Sequence, residues 1–184
     1  MRETRMRLDK GVIVRPVNHD ELAEIGDLRI AAYLAAGMLA TSPYANVLRE
    51  LGISTPGEVL VAEDEGRAIG TVMFEPFHPG SEIACAPEEA EVRALAVAPD
   101  AQGRGAGRAL VGAVIERAGE RGVRHLLLST RPTMAAARHL YSAAGFSRLR
   151  ERDWNAAPGI DLIAYGLILP DARRPEAARR KRFS

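Results

Sequence analysis

The chain is poor in the residues that announce redox or metal chemistry. Cys85 is the one cysteine among 184 residues, which excludes an internal disulfide and a cysteine-rich metal site. The four histidines, His19, His78, His125 and His139, are scattered without metal-ligand spacing, so no metal is expected. A surplus of one charge sign is lacking too. Its 25 basic residues face 24 acidic ones, and a net charge of +1 argues against nucleic acid as the obvious partner. No apolar run is long enough to span a bilayer, and the opening MRETRMRLDK lacks the apolar core of a secretory signal. The expected place is therefore the cytoplasm, away from membranes.

What is present is a globular composition, 47% apolar and 27% charged, in a length that most simply makes one domain. The stretch Asp171–Ser184 carries Arg173, Arg174, Arg179, Arg180, Lys181 and Arg182 against Asp171 and Glu176, and reads as a solvated, flexible tail. The expected organisation is an N-terminal extension over 1–11, a single domain over 12–169 and a basic tail over 170–184.

The most informative stretch is Glu91–Ala109, EVRALAVAPDAQGRGAGRA. Glu91–Ala98 is apolar apart from Glu91 and Arg93 and reads as a buried strand, ended by Pro99-Asp100. Gln102-Gly103-Arg104-Gly105-Ala106-Gly107 then opens an amphipathic helix from Arg108. Glycines at a helix start leave its unpaired N–H groups free to meet an anion. Arg104 and Arg108 add charge suited to phosphate. No Gly-Lys-Ser/Thr closes the loop, so it is not a nucleotide P-loop. The third glycine of a dinucleotide fingerprint is also missing, with Arg108 or Leu110 in its place.

Around this cradle the periodicities predict a strand at Val12–Val17, a helix at Glu21–Ala36 capped by Asp20, and a second helix opening at Ser42-Pro43. Glu58–Glu63 and Ala68–Phe77 read as a hairpin. The Pro- and acid-rich segment His78–Glu89 reads as a loop, where a bulge could shape a substrate mouth. Gly122 closes the helix after the cradle, and Val123–Ser129 follows as a strand parallel to the Glu91 strand by the right-handed crossover rule. A helix from Pro132 to Gly145 and strands at Phe146–Trp154 and Ile160–Leu169 complete the order. The fold class is α/β, a mixed twisted sheet of about seven strands flanked by about four helices.

Gln102, Gly105 and Gly107 resemble the Gln/Arg-x-x-Gly-x-Gly/Ala motif of the GNAT superfamily of acyl-CoA-dependent N-acyltransferases. Leu95-Ala96-Val97-Ala98-Pro99 is similar to that family's upstream Leu-x-Val-x-Pro strand, and Leu140-Tyr141-Ser142-Ala143-Ala144-Gly145-Phe146 to its Leu-Tyr-x-x-x-Gly-Phe signature. The resemblance extends over about Val12–Leu169. It implies acetyl-CoA as co-substrate and no metal, with the pyrophosphate on Gln102, Gly103, Arg104, Gly105, Ala106, Gly107 and Arg108. It also implies splayed central parallel strands, between which pantetheine lies like an added strand near Leu95, Ala96 and Val97. Seven residues before Tyr141, where many members carry a CoA-contacting Asn, this chain has Met134. The amide hydrogen bonds of that contact are lost, while packing and backbone contacts remain open to it.

Acyl transfer from a thioester to an amine needs a neutral amine, a stabilised oxyanion and a protonated leaving group. Glu91 lies eleven residues before Gln102, where several family members place a catalytic Glu, and is the expected base; failing it, the proton would go to bulk solvent, backbone-bound water or another carboxylate such as Glu75. Backbone amides near Leu95 and Val97 are the implied oxyanion donors. Tyr141 is the implied donor to the thiolate, since a phenol with pKa about 10 stays protonated at neutral pH. His139, two residues before Tyr141, points to another side of its helix. Tyr33, Tyr44 and Trp154 with Asn155–Gly159 are weaker candidates for the acceptor pocket, and Cys85 has no neighbours marking it as a nucleophile. The expected function is N-acetylation of a small-molecule or peptide amine by direct attack in a ternary complex; a homodimer is compatible with it. The alternatives are a non-catalytic acyl-CoA-binding module and a transferase of a longer acyl group.

Overall fold

In a computed structural model of the protein, the residues described are 6–7, 11–38 and 44–170. Glu58–Asp64 (β3) and Arg67–Pro76 (β4) form the hairpin from which the sheet grows. Its two turn residues, Glu65 and Gly66, have φ of +49° and +79°, the backbone that a two-residue hairpin turn matching strand twist requires. Outward from β3 lie Ile13–Pro16 (β2) and Met6–Arg7 (β1), both antiparallel. On the other side β4 pairs with Glu89–Val97 (β5), and β5 with His125–Thr130 (β6), the one parallel pairing. Ile160–Ile168 (β9) then pairs β6, and short strands Ser147–Arg148 (β7) and Trp154–Ala157 (β8) pair β9. The described sheet thus has nine strands rather than about seven, because two residues of the expected N-terminal extension join it and the last expected hairpin divides.

Helices cover both faces. Ala106–Glu120 (α3) lays Leu110, Val111, Val114 and Ala118 on a face formed by Leu60, Val72, Phe74, Val92, Leu126 and Leu128. Leu22–Ala35 (α1) and Tyr44–Glu50 (α2) lay Leu22, Ile25 and Leu48, with Leu51, on Val59, Val61 and Met73 opposite. Each such buried aliphatic side chain contributes about 1.5–3 kcal/mol. Arg29 of α1 is fully buried between these helices, and its Nη1 donates to the carbonyls of Leu48 (3.1 Å) and Leu51 (2.8 Å). These are acceptors that the end of α2 leaves unpaired within the helix. Burial lowers the Arg29 guanidinium to about 10.

Several boundaries differ from the sequence expectations. Asp20 does not cap α1; it lies in a 3-10 turn, His19–Glu21, where Glu21 reaches back to accept the Asn18 N–H (2.8 Å). The expected start at Ser42-Pro43 falls outside the described residues, as does most of the basic tail. The helix expected from Pro132 starts at Ala135 and runs to Ala143 (α4), after a turn in which the Met134 N–H bonds to the Arg131 carbonyl (3.1 Å). The expected strand Phe146–Trp154 is broken by a 3-10 turn, Arg150–Arg152. There Asp153 ties Arg148 (2.8 Å) to the Ala164 N–H (2.8 Å), so the chain bends away before β8.

Candidate active site

The expected splay of the central strands is present. Strands β5 and β6 pair only at Glu89–His125, Ala90–Leu126 and Glu91–Leu127, after which β5 continues to Val97 and β6 to Thr130 without facing each other. Each stays paired on its outer side, so the gap exposes two inner edges of backbone donors and acceptors. A bulge sits at this gap. Between the pairs Thr71–Ala96 and Met73–Arg93, both Ala94 and Leu95 stand opposite Val72. Ala94 has φ +50°, a strained value for a residue with a Cβ. A bulge leaves N–H groups out of the ladder, which makes this stretch a source of preorganised donors. The bulge lies within β5, and residues 77–88 form the loop expected before it.

Immediately beyond β5 the cradle takes the expected form. Gly103 and Gly105 have φ of +77° and +92°, and a Cβ on either would meet no atom within 4 Å, so their approach side is open. The first helical bond of α3 runs from the Ala109 N–H to Gly105 O (3.0 Å), which leaves the N–H groups of Ala106, Gly107 and Arg108 unpaired within the helix. A Cβ on Gly107 would come to 3.2 Å from Leu140, so glycine here lets α3 approach α4. Gln102, Arg104 and Arg108 are exposed; Arg104 is steered by the Asp100 carbonyl (3.3 Å) and by Asp64 (3.6 Å). Leu95 and Val97 pack into the α3-side core, and Ala96 is buried.

Tyr141, on α4, is 6% exposed and rests edge-on against Phe146 (centroids 6.1 Å apart) and beside Tyr165 (6.5 Å). Burial holds its hydroxyl above the usual phenol range. Tyr33 of α1 is likewise raised by burial and further by Tyr44 and Tyr141. Met134 precedes α4, with Thr130 Oγ1 3.4 Å from its sulfur.

The face of β4 and β5 toward α1 and α2 holds charge that the sequence expectations did not assemble. Glu75 is fully buried and accepts from Arg93 Nη1 (3.1 and 3.2 Å), while Arg93 Nη2 donates to Glu82. Arg93 also interacts with Tyr44. Glu91 is 2% exposed, and its Oε1 accepts the N–H groups of Ile83 (2.8 Å) and Ala84 (2.7 Å). The loop between β4 and β5 thus folds back over the strand that carries Glu91. Glu82 was not anticipated; its one sequence signal was a cluster of acids in a Pro-rich loop beside the central strand.

The base of the loop is held by Glu89, which accepts the Cys85 N–H (2.6 Å) and Arg152 Nη2 (3.0 Å) and lies 3.5 Å from His125. Burial pushes the Glu89 carboxyl up, but the Cys85 N–H and Arg152 outweigh it, so the net shift is downward. A carboxylate held lower in the folded state stabilises the fold above its unfolded pKa of about 4.3, and that contribution is lost as pH falls through the folded value. Glu89→Gln should therefore flatten the loss of stability on acidification, read by urea unfolding between about pH 3 and 6. An unchanged slope would remove Glu89 from the acid response.

Of the remaining candidates, Trp154 packs with Phe77 and Leu149 on Ile83, Ala84, Leu127 and Ala164, and so supports the loop from below. Cys85 is exposed, with Arg152 Nη1 3.2 Å from its sulfur. His19 and His139 are exposed, and His78 lies 3.5 Å from Glu75. Among the described residues no group of three or more His, Cys, Asp or Glu side chains could hold a metal ion, and no helix is long and apolar enough to cross a membrane.

The central strand pair thus parts beside a bulge, and its first strand runs on to the glycine loop that opens α3. The family model described as Acetyltransferase (GNAT) family matches residues 22–146, and the chain belongs to that family. Mycothiol acetyltransferase of Cellulomonas flavigena is 40% identical over 96 residues, which is 50% of this chain and 27% of that protein. The chain thus spans about a quarter of that curated relative's length. Ribosomal-protein-S18-alanine N-acetyltransferase of Escherichia coli superimposes with a TM-score of 0.65 at 21% identity, covering 89% of this chain and 98% of that one. The yncA protein of Salmonella typhimurium, solved with its cofactor acetyl-CoA, gives 0.64 at 20% identity, covering 91% and 99%. At these identities the two structures speak for the fold.

Proposed function

We propose that the protein transfers the acetyl group of acetyl-CoA to a primary amine, on a small molecule or a peptide, by direct attack within a ternary complex. The observation that carries this is the gap between β5 and β6, with the Gly103–Gly107 cradle following β5 and Tyr141 packed on Tyr165 of β9, the neighbour of β6. The residues fit the co-substrate. Open glycines and free N–H groups suit a pyrophosphate, and the parted strand edges suit the amides of pantetheine. When bound, acetyl-CoA supplies an activated acetyl thioester. The protein's part is to hold it on Gln102–Arg108, to aim bulge N–H groups near Ala94 and Leu95 where charge develops on the carbonyl oxygen, and to give the leaving sulfur a proton from Tyr141. Binding of both substrates on one scaffold makes the reaction effectively unimolecular.

Initial rates measured while acetyl-CoA and an acceptor amine are both varied should give intersecting double-reciprocal lines, with thiol release matched by N-acetylated product. Parallel lines would instead indicate a covalent acyl-enzyme and overturn direct attack.

A further inference from the structure

Besides the exposed Glu88, four carboxylates, Glu75, Glu82, Glu89 and Glu91, lie around the loop between β4 and β5, and they are not equivalent. Glu75 is fully buried beneath Arg93. Glu89 is turned to Arg152 and Cys85 at the base of the loop. In Glu91, Oε1 already accepts two amide hydrogen bonds, which engages both lone pairs of that oxygen. Glu82 differs from all three. Its side chain is 23% exposed, and Arg93 orients its Oε1.

The backbone that carries Glu82 is held tightly. The next two residues, Ile83 and Ala84, are buried and give their N–H groups to Glu91, Arg152 donates to the Ile83 carbonyl, and Ser81 Oγ accepts the His78 N–H (3.0 Å). Glu82 is therefore a preorganised carboxylate on a pinned loop. The groups that face it are Arg93 and Glu91 from β5, Glu75 from β4, Tyr33 from α1 and Tyr44 from α2, with His78 3.5 Å from Glu75. Both Glu82 and Tyr141 act electrostatically on Tyr33.

We infer that Glu82 is the base that accepts a proton from the acceptor ammonium, and that Glu91 is a positioning residue that holds Glu82 in place through Ile83 and Ala84. This rests on the acetyl-transfer reading and adds the acceptor class: three carboxylates against Arg93 on this face favour a cationic amine without an anionic neighbour group. The ammonium gives one proton to Glu82, which releases it to solvent. The nitrogen lone pair forms the C–N bond, the C–S bond breaks, and its electrons remain on sulfur. Sulfur takes a proton from Tyr141, and the second surplus proton on nitrogen restores it. The sum is one amide, one thiol and one proton. Burial raises the Glu82 carboxyl, Arg93 only partly opposing it while Glu91 and Glu75 add to the rise, which brings the group toward the pH at which a base is effective.

The test combines a direct titration with kinetics. In protein labelled with carbon-13 at glutamate carboxyls, the resonance missing from Glu82→Gln should have a midpoint above about 4.3, the ordinary value. With the best-used amine among spermidine, a lysine-containing peptide and an alanine-terminated peptide, Glu82→Gln should lower kcat/KM at pH 7 by about tenfold. It should also displace the acid limb of the profile, while calorimetric acetyl-CoA affinity stays within about threefold. Glu91→Ala should speed hydrogen exchange at Ile83 and Ala84, whereas Glu91→Gln, which can still accept both amides, should leave the limb where the parent has it at a reduced rate. A Glu82 midpoint at or below the ordinary value overturns the base role. So does a limb that vanishes in Glu91→Gln and survives in Glu82→Gln. A parent that binds no acetyl-CoA overturns the acetyl-transfer reading itself, which a failure of Glu82 alone would leave standing.

Discussion

Tyr141→Phe is expected to lower kcat about a hundredfold, some 2.7 kcal/mol of barrier, while the KM for acetyl-CoA stays within about threefold. The substitution removes a hydroxyl and keeps the ring. The contacts with Phe146 and Tyr165, which fix α4 against β9, therefore survive, and the melting temperature should hardly move. Burial raises the Tyr141 hydroxyl, which by itself weakens it as an acid. The same dry surroundings raise the basicity of a thiolate expelled beside it, so the proton still has a reason to move. A raised hydroxyl also stays protonated across the accessible range, and the variant should lose rate equally at every pH, without shifting a limb. That separates it from Glu82, whose loss displaces the acid limb. A kcat within about threefold of the parent would leave Tyr141 as packing alone.

The parts legible in the sequence are those whose causes are local. Glycines at 103, 105 and 107 after an apolar run, and Gly145 after Leu140-Tyr141, each state a backbone need within a few residues: Gly103, Gly105 and Gly145 take positive φ, while Gly107 is helical and lies close to Leu140. Parallel pairing of β5 and β6 follows from crossover handedness, which is nearly invariant. The bulge at Ala94 has no such mark. Alanine carries no preference for positive φ, and the extra residue exists only because Thr71 and Met73 fix the register on both sides. The charged face proposed for the acceptor was legible only in part, through Tyr33 and Tyr44. Tyr33, Tyr44, Glu82 and Arg93 come from α1, α2, a loop and β5, and only the tertiary fold gathers them. Spacing singled out Glu91, but spacing could not show that a loop folds back onto its carboxylate. The late start of α4 has a local cause that composition obscured. Proline at 132 suits a first helical turn, yet the Met134 N–H bond to Arg131 makes a separate turn before Ala135.

Gly105→Val should weaken acetyl-CoA binding at least thirtyfold, about 2 kcal/mol, with only a modest loss of stability. Two effects act together. Gly105 holds φ at +92° as the residue that caps α3, and a β-branched side chain there costs about 1–2 kcal/mol, so the cap relaxes and its N–H groups turn from the direction they share. The space a side chain would fill is also open on the cradle side, with no protein atom within 4 Å, and is the space an approaching phosphate needs. Because the residue sits at an exposed helix start and the α3 core begins beyond it at Ala106, the strain should lower the melting temperature by only a few degrees. Strain and obstruction are separated by Gly105→Ala, which meets less strain and fills less of the opening, and should fall between the parent and valine. Gly119→Ala, far along α3 and also facing no atom within 4 Å, controls for adding a methyl group to this helix and should leave affinity unchanged. Calorimetric titration with CoA, which retains the pyrophosphate but not the acetyl group, reads the cradle alone. Equal affinity in the parent and in Gly105→Val would place the pyrophosphate elsewhere, and the reading of Gln102–Arg108 as its seat would fall.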